Sequence, residues 1–337
     1  MNILVIGLGS MGKRRIRCLQ TLGKTSIVGY DVAASRASEA QEKYDVPCFS
    51  DWKAALLSSQ PNAFIISVPP AMHHLYIRQA LDLNVHFFVE ASVVDTGLGE
   101  FVERLKNSPL IAAPSATLHF HPAIKLISEI VASGELGKLS NILLHSGQYL
   151  PDWHTYESVA DYYVSNTATS GGREIVPFEL SWFLRVFGWP ARVAANYRKT
   201  IDIHGAPYID DTYNILLDYR SYLAVVIVDV VSRYATRRLV VNGSEKQLVW
   251  SWDENCVKVF DPAKGKWESR SYSPGVAEAG YNSNIGEDMY VDEIRNFLAA
   301  IEGTERFFNS MAEDHAVLKL LYAAERSDAS SAFQVVP

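Results

Sequence analysis

Six residues near the start of the chain have the spacing of a phosphate-binding turn. The segment Gly7-Leu8-Gly9-Ser10-Met11-Gly12 reads G-x-G-x-x-G; it follows the apolar run 2–6 and opens a predicted helix at 11–22. The first glycine allows the tight turn, the second lets the backbone approach a pyrophosphate, and the third lets helix and strand pack closely. Free N–H groups and the positive end of the helix dipole then face the phosphates. We therefore predict a dinucleotide site at this turn.

A carboxylate follows at the position that contacts the ribose in such a site. Asp31 comes directly after the second apolar run, Ile27–Tyr30, roughly 20 residues beyond the glycines. Its oxygens can accept from both ribose hydroxyls, and its charge would repel a 2′-phosphate, so we predict NAD rather than NADP. Arg36 and the basic run Lys13-Arg14-Arg15 keep NADP as an alternative.

The elements that position these residues alternate between strands and helices. Besides those named above, the pattern predicts strands near Cys48 and at 63–68 and 85–89, and helices at 34–44, 52–57 and 72–83. Alternation of this kind favours a parallel, doubly wound sheet, which binds its ligand at the carboxyl ends of the strands.

The pattern changes after about residue 120, where strand-like runs are joined by short polar breaks. The predicted strands are 139–149, 192–199, 212–219, 222–231, 239–241, 247–252, 257–260 and 266–272, with helices at 122–133, 175–187, 290–301 and 312–326. Short breaks favour a large, mostly antiparallel open sheet in an α/β domain. We predict a Rossmann domain at 1–118 and a substrate and oligomerisation domain at 119–337. The last helices are expected to pack back on the first domain, and residues 327–337 to be loosely held.

Composition excludes several classes of protein. Of the 337 residues, 48% are hydrophobic and 20% charged, which is typical of a folded chain. The net charge of −7 argues against nucleic acid or an anionic membrane as a partner. Because no apolar run is long enough for a membrane span and residues 1–8 lack a basic n-region, we expect neither a membrane span nor a signal peptide. The three cysteines lie far apart, which argues against a disulfide framework or a zinc cluster, so we predict a cytoplasmic protein without a metal site.

Three further segments carry the motifs of one enzyme family. Residues 9–15 read G-S-M-G-K-R-R, residues 68–73 read V-P-P-A-M-H, and residues 80–86 read A-L-D-L-N-V-H. They resemble G-S-[IM]-G-K-R-[HR], T-P-N-x-x-H and A-L-x-A-G-K-H of the Gfo/Idh/MocA family, the relatives of glucose-fructose oxidoreductase and inositol dehydrogenase. The likeness extends over nearly the whole chain. It implies a Rossmann domain joined to a C-terminal domain with an open sheet, which often pairs subunits into dimers or tetramers.

The resemblance also implies cofactor contacts beyond the glycine turn. The segment after the fourth strand borders the nicotinamide ribose, where His73 would act as a positioning residue. The predicted cofactor-binding residues are Gly7, Leu8, Gly9, Ser10, Met11, Gly12, Asp31, Arg36, Ser67, Val68, Pro69, Pro70, His73, Glu90 and Ala91.

The acid–base groups of the family are replaced in this chain. Where the family has E-K-P, the sequence reads Glu90-Ala91-Ser92, so the active-site lysine is missing. The family's histidine aligns with Phe178, and the acids three residues before and after it align with Ile175 and Ser181. The cofactor end of the family pattern is therefore retained, whereas the catalytic end is not.

Oxidising an alcohol still requires a base for the hydroxyl proton. The nearest ionisable groups are Glu174 and Glu179, with His154 as the alternative in the preceding loop. The two glutamates are five positions apart, about 140° around a helix, so we expect them to face different surroundings. For each of the three candidates a purely structural role is the alternative.

A polar, aromatic loop follows the first strand of the second domain. Its aromatic faces and polar tips suit sugar recognition, although tyrosines in such a loop can also simply cover a sheet. The predicted substrate-binding residues are Asp152, Trp153, His154, Tyr156, Tyr162 and Arg173.

Two functions fit these features. The first is an NAD(H)-dependent oxidoreductase that transfers a hydride to or from a sugar, polyol or nucleotide-sugar. The alternative is a catalytically degenerate NAD(H)-binding sensor or partner subunit.

Overall fold

The chain consists of two compact units. The computed structural model describes residues 1–154, 157–273, 275–277 and 285–336. Unit 1 comprises Met1–Thr117 and Met289–His315, and unit 2 comprises Leu118–Asp288 and Ala316–Pro337. The first unit therefore takes in a segment that is distant in sequence.

Unit 1 is built on a six-stranded parallel sheet. Its strands are β1 (Ile3–Ile6), β2 (Ile27–Tyr30), β3 (Cys48–Phe49), β4 (Ala63–Ile66), β5 (His86–Val89) and β6 (Ala112–Pro114), in the order β3-β2-β1-β4-β5-β6. Every residue of β1, β2 and β4 is buried, as expected for a sheet that is covered on both faces. The strand order reverses between β1 and β4, which is the position where doubly wound sheets bind ligands. The predicted parallel sheet is confirmed.

Five helices connect these strands. They are α1 (Ser10–Thr21), α2 (Ala34–Tyr44), α3 (Trp52–Ser59), α4 (His73–Leu83) and α5 (Leu98–Leu105). The sequence pattern predicted the first four but missed α5 and β6, which are short. Helix α3 begins where the Asp51 carboxylate accepts from the Ala54 N–H at 2.8 Å, an N-cap that the aspartate supplies.

Unit 2 contains a nine-stranded sheet within the described residues. Its strands are β7 (Leu139–Tyr149), β8 (Arg192–Arg198), β9 (Thr212–Asp218), β10 (Leu223–Asp229), β11 (Val231–Gly243), β12 (Gln247–Ser251), β13 (Cys256–Asp261), β14 (Lys266–Ser271) and β15 (Gln334–Val335). The order is β14-β13-β12-β11-β7-β10-β9-β8-β15, and all neighbours are antiparallel except β7 and β10. The prediction of a large, mostly antiparallel sheet is therefore confirmed.

Four further helices complete the described chain. Helices α6 (Pro122–Ala132) and α7 (Gly171–Phe187) lie in unit 2. Near the C-terminus, α8 (Asp288–Ile301) contributes almost entirely to unit 1, whereas α9 (Met311–Ser330) begins in unit 1 and continues in unit 2. No helix among the described residues has the length and apolar character needed to cross a bilayer.

Three predicted boundaries are wrong. Strand β11 is much longer than the predicted 239–241, because its polar first half pairs with β7 across a bulge. The C-terminal residues are not loosely held, since α9 continues to Ser330 and β15 pairs with β8. Helix α7 begins at Gly171 rather than at 175, because Ser170 caps it and two glycines allow close packing. A Cβ on Gly172 would lie 2.6 Å from the Asp210 carbonyl oxygen.

Candidate functional site

The glycine turn in unit 1 has the shape that a pyrophosphate requires. Gly7 has a φ of +88°, and a Cβ there would lie 2.7 Å from the Ser67 carbonyl oxygen. A Cβ on Gly12 would lie only 1.7 Å from the Gly7 carbonyl oxygen, so this glycine is required for α1 to pack on the turn. A Cβ on Gly9 would meet no described atom within 4 Å. The turn is therefore tight at its two ends and open in the middle, where the backbone must approach a phosphate.

Asp31 is attached to the same turn. The side chain is buried; Oδ2 accepts from the Leu8 N–H at 2.8 Å, and Oδ1 accepts from the Ala33 N–H at 2.9 Å. Each carboxylate oxygen can accept a further hydrogen bond, so the residue is held in place and can still bind ribose hydroxyls. These residues fit the dinucleotide that the sequence predicts.

The basic residues near the turn differ in their availability. Lys13 is ion-paired with Glu39, and the Arg14 guanidinium lies over the Tyr290 ring at 4.2 Å. Arg15 is completely buried. The sequence interpretation that let these three residues keep NADP possible is therefore wrong for Arg15, which is buried and neutralised by two carboxylates. Arg36, in the first turn of α2, is exposed.

Arg15 is the centre of a buried ionic network. Its Nε and Nη2 donate to the two carboxylate oxygens of Glu90, both at 2.8 Å, and Nη2 also lies 3.0 Å from Glu293 Oε2. Burial alone lowers the pKa of Arg15, but the two carboxylates outweigh it and raise the pKa. Burial raises the pKa of Glu90, and Arg15 reverses that effect and lowers it. Arg15 of α1 therefore fixes the position of Glu90, the residue that matches the glutamate of the family's E-K-P segment.

The segments after β4 and β5 are joined by further hydrogen bonds. Ser67 Oγ donates to Glu90 Oε1 at 2.9 Å, and the ring Nε2 of His73 lies 3.0 Å from the Val68 carbonyl oxygen. Burial lowers the pKa of His73 to about 4, so the ring is neutral near pH 7 and Nε2 donates this hydrogen bond. His73 therefore positions the turn that Pro69 and Pro70 continue. Its role at the cofactor itself stays a prediction, as does that of the partly buried Ala91.

An aromatic pocket that sequence reasoning missed lies beside Asp31. It has a volume of about 580 Å³ and is lined by Tyr30, Trp52, His74, Leu75, Tyr76, Arg78 and Gln79. The Tyr30 and Trp52 rings meet edge to face at 5.1 Å, an arrangement that suits contact with a further planar ring. The sequence feature that could have indicated this pocket is Tyr30, the aromatic residue directly before Asp31.

Glu179 in unit 2 is part of the core. It has no exposed surface, and Oε1 accepts from Ser146 Oγ and Arg237 Nε, both at 2.8 Å. Its other oxygen accepts from the Trp182 indole N–H at 2.7 Å. Because these donors occupy both oxygens, the structure argues against the prediction of Glu179 as a catalytic base. It connects α7 to β7 and β11 instead.

Glu174 has a different environment on the same helix. Its Oε1 accepts from the Tyr163 hydroxyl at 2.8 Å. Oε2 is shielded from solvent and has no hydrogen-bond partner among the described residues. Burial raises the pKa of Glu174 to about 7, and the Tyr163 hydrogen bond opposes this rise. The predicted difference between the two glutamates is thus present, and Glu174 keeps acceptor capacity.

The polar loop brings several of the predicted substrate-binding residues together. His154 stacks on the Tyr162 ring at 4.9 Å, and its Nδ1 lies 2.7 Å from Glu157 Oε1. The Trp153 indole nitrogen is buried without a partner among the described residues, while Asp152 is exposed. Tyr156 lies outside the described residues. The loop therefore combines aromatic faces with hydrogen-bonding groups.

Arg173 is not available for the predicted role in substrate binding. Its Nε donates to Glu325 Oε1 at 2.6 Å, and Nη1 donates to the Ala168 carbonyl at 3.0 Å. The guanidinium also lies over the Tyr322 ring at 5.1 Å. Because a carboxylate from α9 neutralises it, Arg173 holds α7 against α9.

The polar residues that look most like metal ligands are used structurally. Asp211 is completely buried and accepts from the backbone N–H groups of Thr200 and Ile201, with Oδ2 distances of 2.8 and 3.0 Å. The described residues contain no group of three or more histidine, cysteine or acidic side chains that could hold a metal ion.

Known proteins match both the N-terminal segment and the whole fold. Residues 1–96 match the Gfo/Idh/MocA model, described as an oxidoreductase family with an NAD-binding Rossmann fold. The uncharacterized oxidoreductase YrbE of Bacillus subtilis (strain 168) is 23% identical over 318 residues, covering 88% of this chain and 85% of that protein. The predicted resemblance is confirmed over residues 1–96, which match an NAD-binding Rossmann fold.

Two solved structures share the architecture. Levoglucosan dehydrogenase in complex with NADH and levoglucosan superposes with a TM-score of 0.86 at 15% identity, covering 100% of this chain and 99% of that chain. An oxidoreductase domain protein from Kribbella flavida gives a TM-score of 0.85 at 17% identity, with the same coverage. At these identities the likeness establishes the fold.

The different packing at Gly9 and Gly12 leads to a paired prediction. A Gly9→Ala variant should keep the wild-type melting temperature but bind NADH at least about tenfold more weakly, because the new methyl group occupies the phosphate approach. Gly12→Ala should lower the melting temperature, because its methyl group meets the Gly7 carbonyl. Calorimetric titration and thermal melts measure both. A Gly9→Ala protein with unchanged NADH affinity would contradict the proposed position of the pyrophosphate.

Proposed function

We propose that this protein, whose N-terminal domain is an NAD-binding Rossmann domain of Gfo/Idh/MocA type, transfers a hydride between NAD(H) and the CH–OH group of a small carbohydrate. The substrate class is a sugar, polyol or nucleotide-sugar. When bound, the nicotinamide supplies or accepts the hydride. The chain itself must bind and orient both reactants, and it must provide a group that exchanges the hydroxyl proton.

The aromatic and polar loop after β7 is the observation that carries the substrate class. Trp153, His154, Tyr162 and Tyr163 lie in one segment, and two of these rings stack at 4.9 Å. Sugars bind through ring faces on aromatic side chains and through hydroxyls on polar groups. The buried indole N–H of Trp153, which has no hydrogen-bond partner in the part of the chain that the structure describes, is a donor that a hydroxyl oxygen could satisfy. The sugar in the levoglucosan dehydrogenase structure supports the same class.

A second candidate function is that of an NAD(H)-binding sensor or partner subunit. The replacement of the family lysine by Ala91 favours it, because alanine can neither hold a substrate oxygen nor relay a proton. Phe178 and Ser181 stand at two other positions of the family's catalytic set, and Ser181 Oγ donates to the Phe178 carbonyl at 2.9 Å. Measuring turnover of a carbohydrate panel distinguishes the oxidoreductase from the sensor or partner subunit.

The oxidoreductase should turn over at least one member of a carbohydrate panel. Aldoses, polyols, anhydrosugars and nucleotide-sugars are incubated with NAD⁺, and their oxidised counterparts with NADH, while the absorbance of reduced nicotinamide is followed. The Gly9→Ala variant is the matched control, since it should fold but bind cofactor weakly. Absence of turnover across the panel, combined with tight NADH binding, would favour the sensor. Activity gained only in Ala91→Lys would also favour it.

The position of Asp31 predicts a preference for NAD over NADP. In Asp31→Asn, the ratio of the NADPH to the NADH dissociation constant should fall about tenfold, because a charge that repels the 2′-phosphate is removed. Competitive titration with the two reduced cofactors gives this ratio. Glu42→Gln, an exposed residue of α2, is the matched control. Equal affinity for both cofactors in the wild-type protein would contradict the role of Asp31.

The outer face of the nine-stranded sheet suits pairing with a second copy of the chain. An apolar row crosses six strands through Ala194, Leu216, Val225, Leu143, Val240 and Val249, which are register partners. All six remain partly exposed, and Leu143 is 41% exposed. A continuous apolar strip of this kind is typical of subunit interfaces. We therefore propose a homo-dimer or homo-tetramer contact on this face.

Replacing one member of this row should break the assembly. Leu143→Asp should reduce the molar mass measured by light scattering to that of a monomer, since it places a charge in the centre of the row. Leu57→Asp, which places the same charge at an exposed leucine of α3 in unit 1, should leave the mass unchanged. A wild-type protein that is monomeric at micromolar concentration would refute the contact.

A further inference from the structure

We propose that Glu174 is the proton-exchanging group of this enzyme and that the Tyr163 hydroxyl positions and tunes it. The proposal rests on the proposed oxidoreductase function and supplies the acid–base group that the chain lacks at the positions of the family's lysine and histidine. It assigns a catalytic role to Glu174 and a positioning role to Tyr163.

The unused acceptor of Glu174 is the first observation. Oε2 is shielded from solvent and has no hydrogen-bond partner among the described residues, while Oε1 accepts from Tyr163 at 2.8 Å. A buried acceptor without a donor is unfavourable in a folded protein. A substrate hydroxyl would provide the missing donor, and the same hydrogen bond would bring its proton to the carboxylate.

The charges around Glu174 are the second observation. Tyr163 is the titratable group that faces it, and no cation among the described residues is paired with it. The neighbouring Arg173 is turned toward Glu325. Asp210, at the strand entry against which α7 packs, presents its backbone carbonyl toward Gly172. A carboxyl group in such surroundings keeps a pKa of about 7, close to the optimum for exchanging protons at neutral pH.

Four other candidate groups are less suited to this role. Glu179 is neutralised by Arg237, and Glu90 by Arg15. His154 is held against Glu157. Asp314 in unit 1 also has an oxygen without a hydrogen-bond partner among the described residues, and burial raises its pKa to about 7. It belongs to neither α7 nor the polar loop, so we use it as a control.

The reaction balances with NAD⁺ as the oxidant. During oxidation the substrate O–H bond breaks, and its proton passes to Oε2 of the Glu174 carboxylate. The C–H bond at the same carbon breaks as well; its electron pair leaves with the hydrogen as a hydride to the oxidised nicotinamide, and a C=O bond forms. In reduction the neutral carboxylic acid returns the proton. Oxidation therefore requires ionised Glu174, and its rate should fall as the pH drops below about 7.

The first experiment compares pH profiles of kcat/KM for oxidation of the substrate found in the panel. Glu174→Gln should lower the rate about 100-fold or more and abolish the acidic limb, while NADH affinity is unchanged. Tyr163→Phe should move the acidic limb to higher pH, because the lost hydrogen bond stabilised the carboxylate. Glu129→Gln, an exposed residue of α6, and Asp314→Asn should both retain the limb.

The second experiment does not depend on turnover. Infrared difference spectra recorded across neutral pH should contain the C=O stretch of a protonated carboxyl group. The component of this band that belongs to Glu174 should be missing in Glu174→Gln, and in Tyr163→Phe it should titrate at a different pH. A separate component, which belongs to Asp314, should be missing in Asp314→Asn.

The outcomes separate the two proposals. If the wild-type protein turns over a substrate and Glu174→Gln retains its rate and acidic limb, Glu174 is not the proton carrier, although the oxidoreductase function stands. If the wild-type protein turns over nothing, the proposed function fails. The infrared spectra then test the roles of Glu174 and Tyr163 without turnover. The proposal is overturned if the Glu174 band does not titrate between about pH 6 and 8. It is also overturned if Tyr163→Phe leaves the titration of that band unchanged.

Discussion

Unit 1 depends on a cation with no exposed surface, Arg15. A guanidinium with no exposed surface is tolerated only when carboxylates and other acceptors surround it, and Arg15 binds Glu90 and Glu293. Glu293 in turn accepts from the Ala116 N–H at 2.7 Å and from the Thr117 hydroxyl at 2.7 Å. Four parts of the chain are thereby fixed together: α1, the end of β5, the segment after β6, and α8. Removing one partner of such a pair costs about 3–5 kcal/mol, because it leaves a buried charge uncompensated.

This network explains why part of the site could be predicted from the sequence and part could not. The glycine turn and Asp31 are recognisable because their chemistry depends on residues close together in sequence. The use of Arg15 depends on Glu293, which is 278 positions away in the chain, and no local spacing indicates that pair. The basic run that contains Arg15 was therefore interpreted as keeping NADP possible, although Arg15 is ion-paired inside the unit. Arg173 was misjudged for the same reason, because its partner Glu325 lies 152 positions away.

Helix α7 illustrates how far periodicity can be taken. The offset of about 140° correctly separated the surroundings of Glu174 and Glu179. Glu179, and not Glu174, is hydrogen-bonded within the core, because Ser146 of β7 and Arg237 of β11 donate to it. Those strands meet only in the folded sheet, so the sequence left both glutamates open. The structure separates them because both oxygens of Glu179 accept hydrogen bonds, whereas Oε2 of Glu174 accepts none from any described residue.

The contrast between Glu174 and Glu179 also indicates which kind of group could exchange a proton in place of the family's lysine and histidine. A carboxylate that is bound by an arginine is a poor base, because the cation stabilises its ionised form. Glu179 and Glu90 are both in that state. A carboxyl group held by one neutral phenol is stabilised much less, so burial dominates and the pKa of Glu174 stays near neutrality. Proton exchange thus requires neither an imidazole nor an ammonium group, provided that the carboxyl is buried, positioned by a neutral donor and left with one free acceptor.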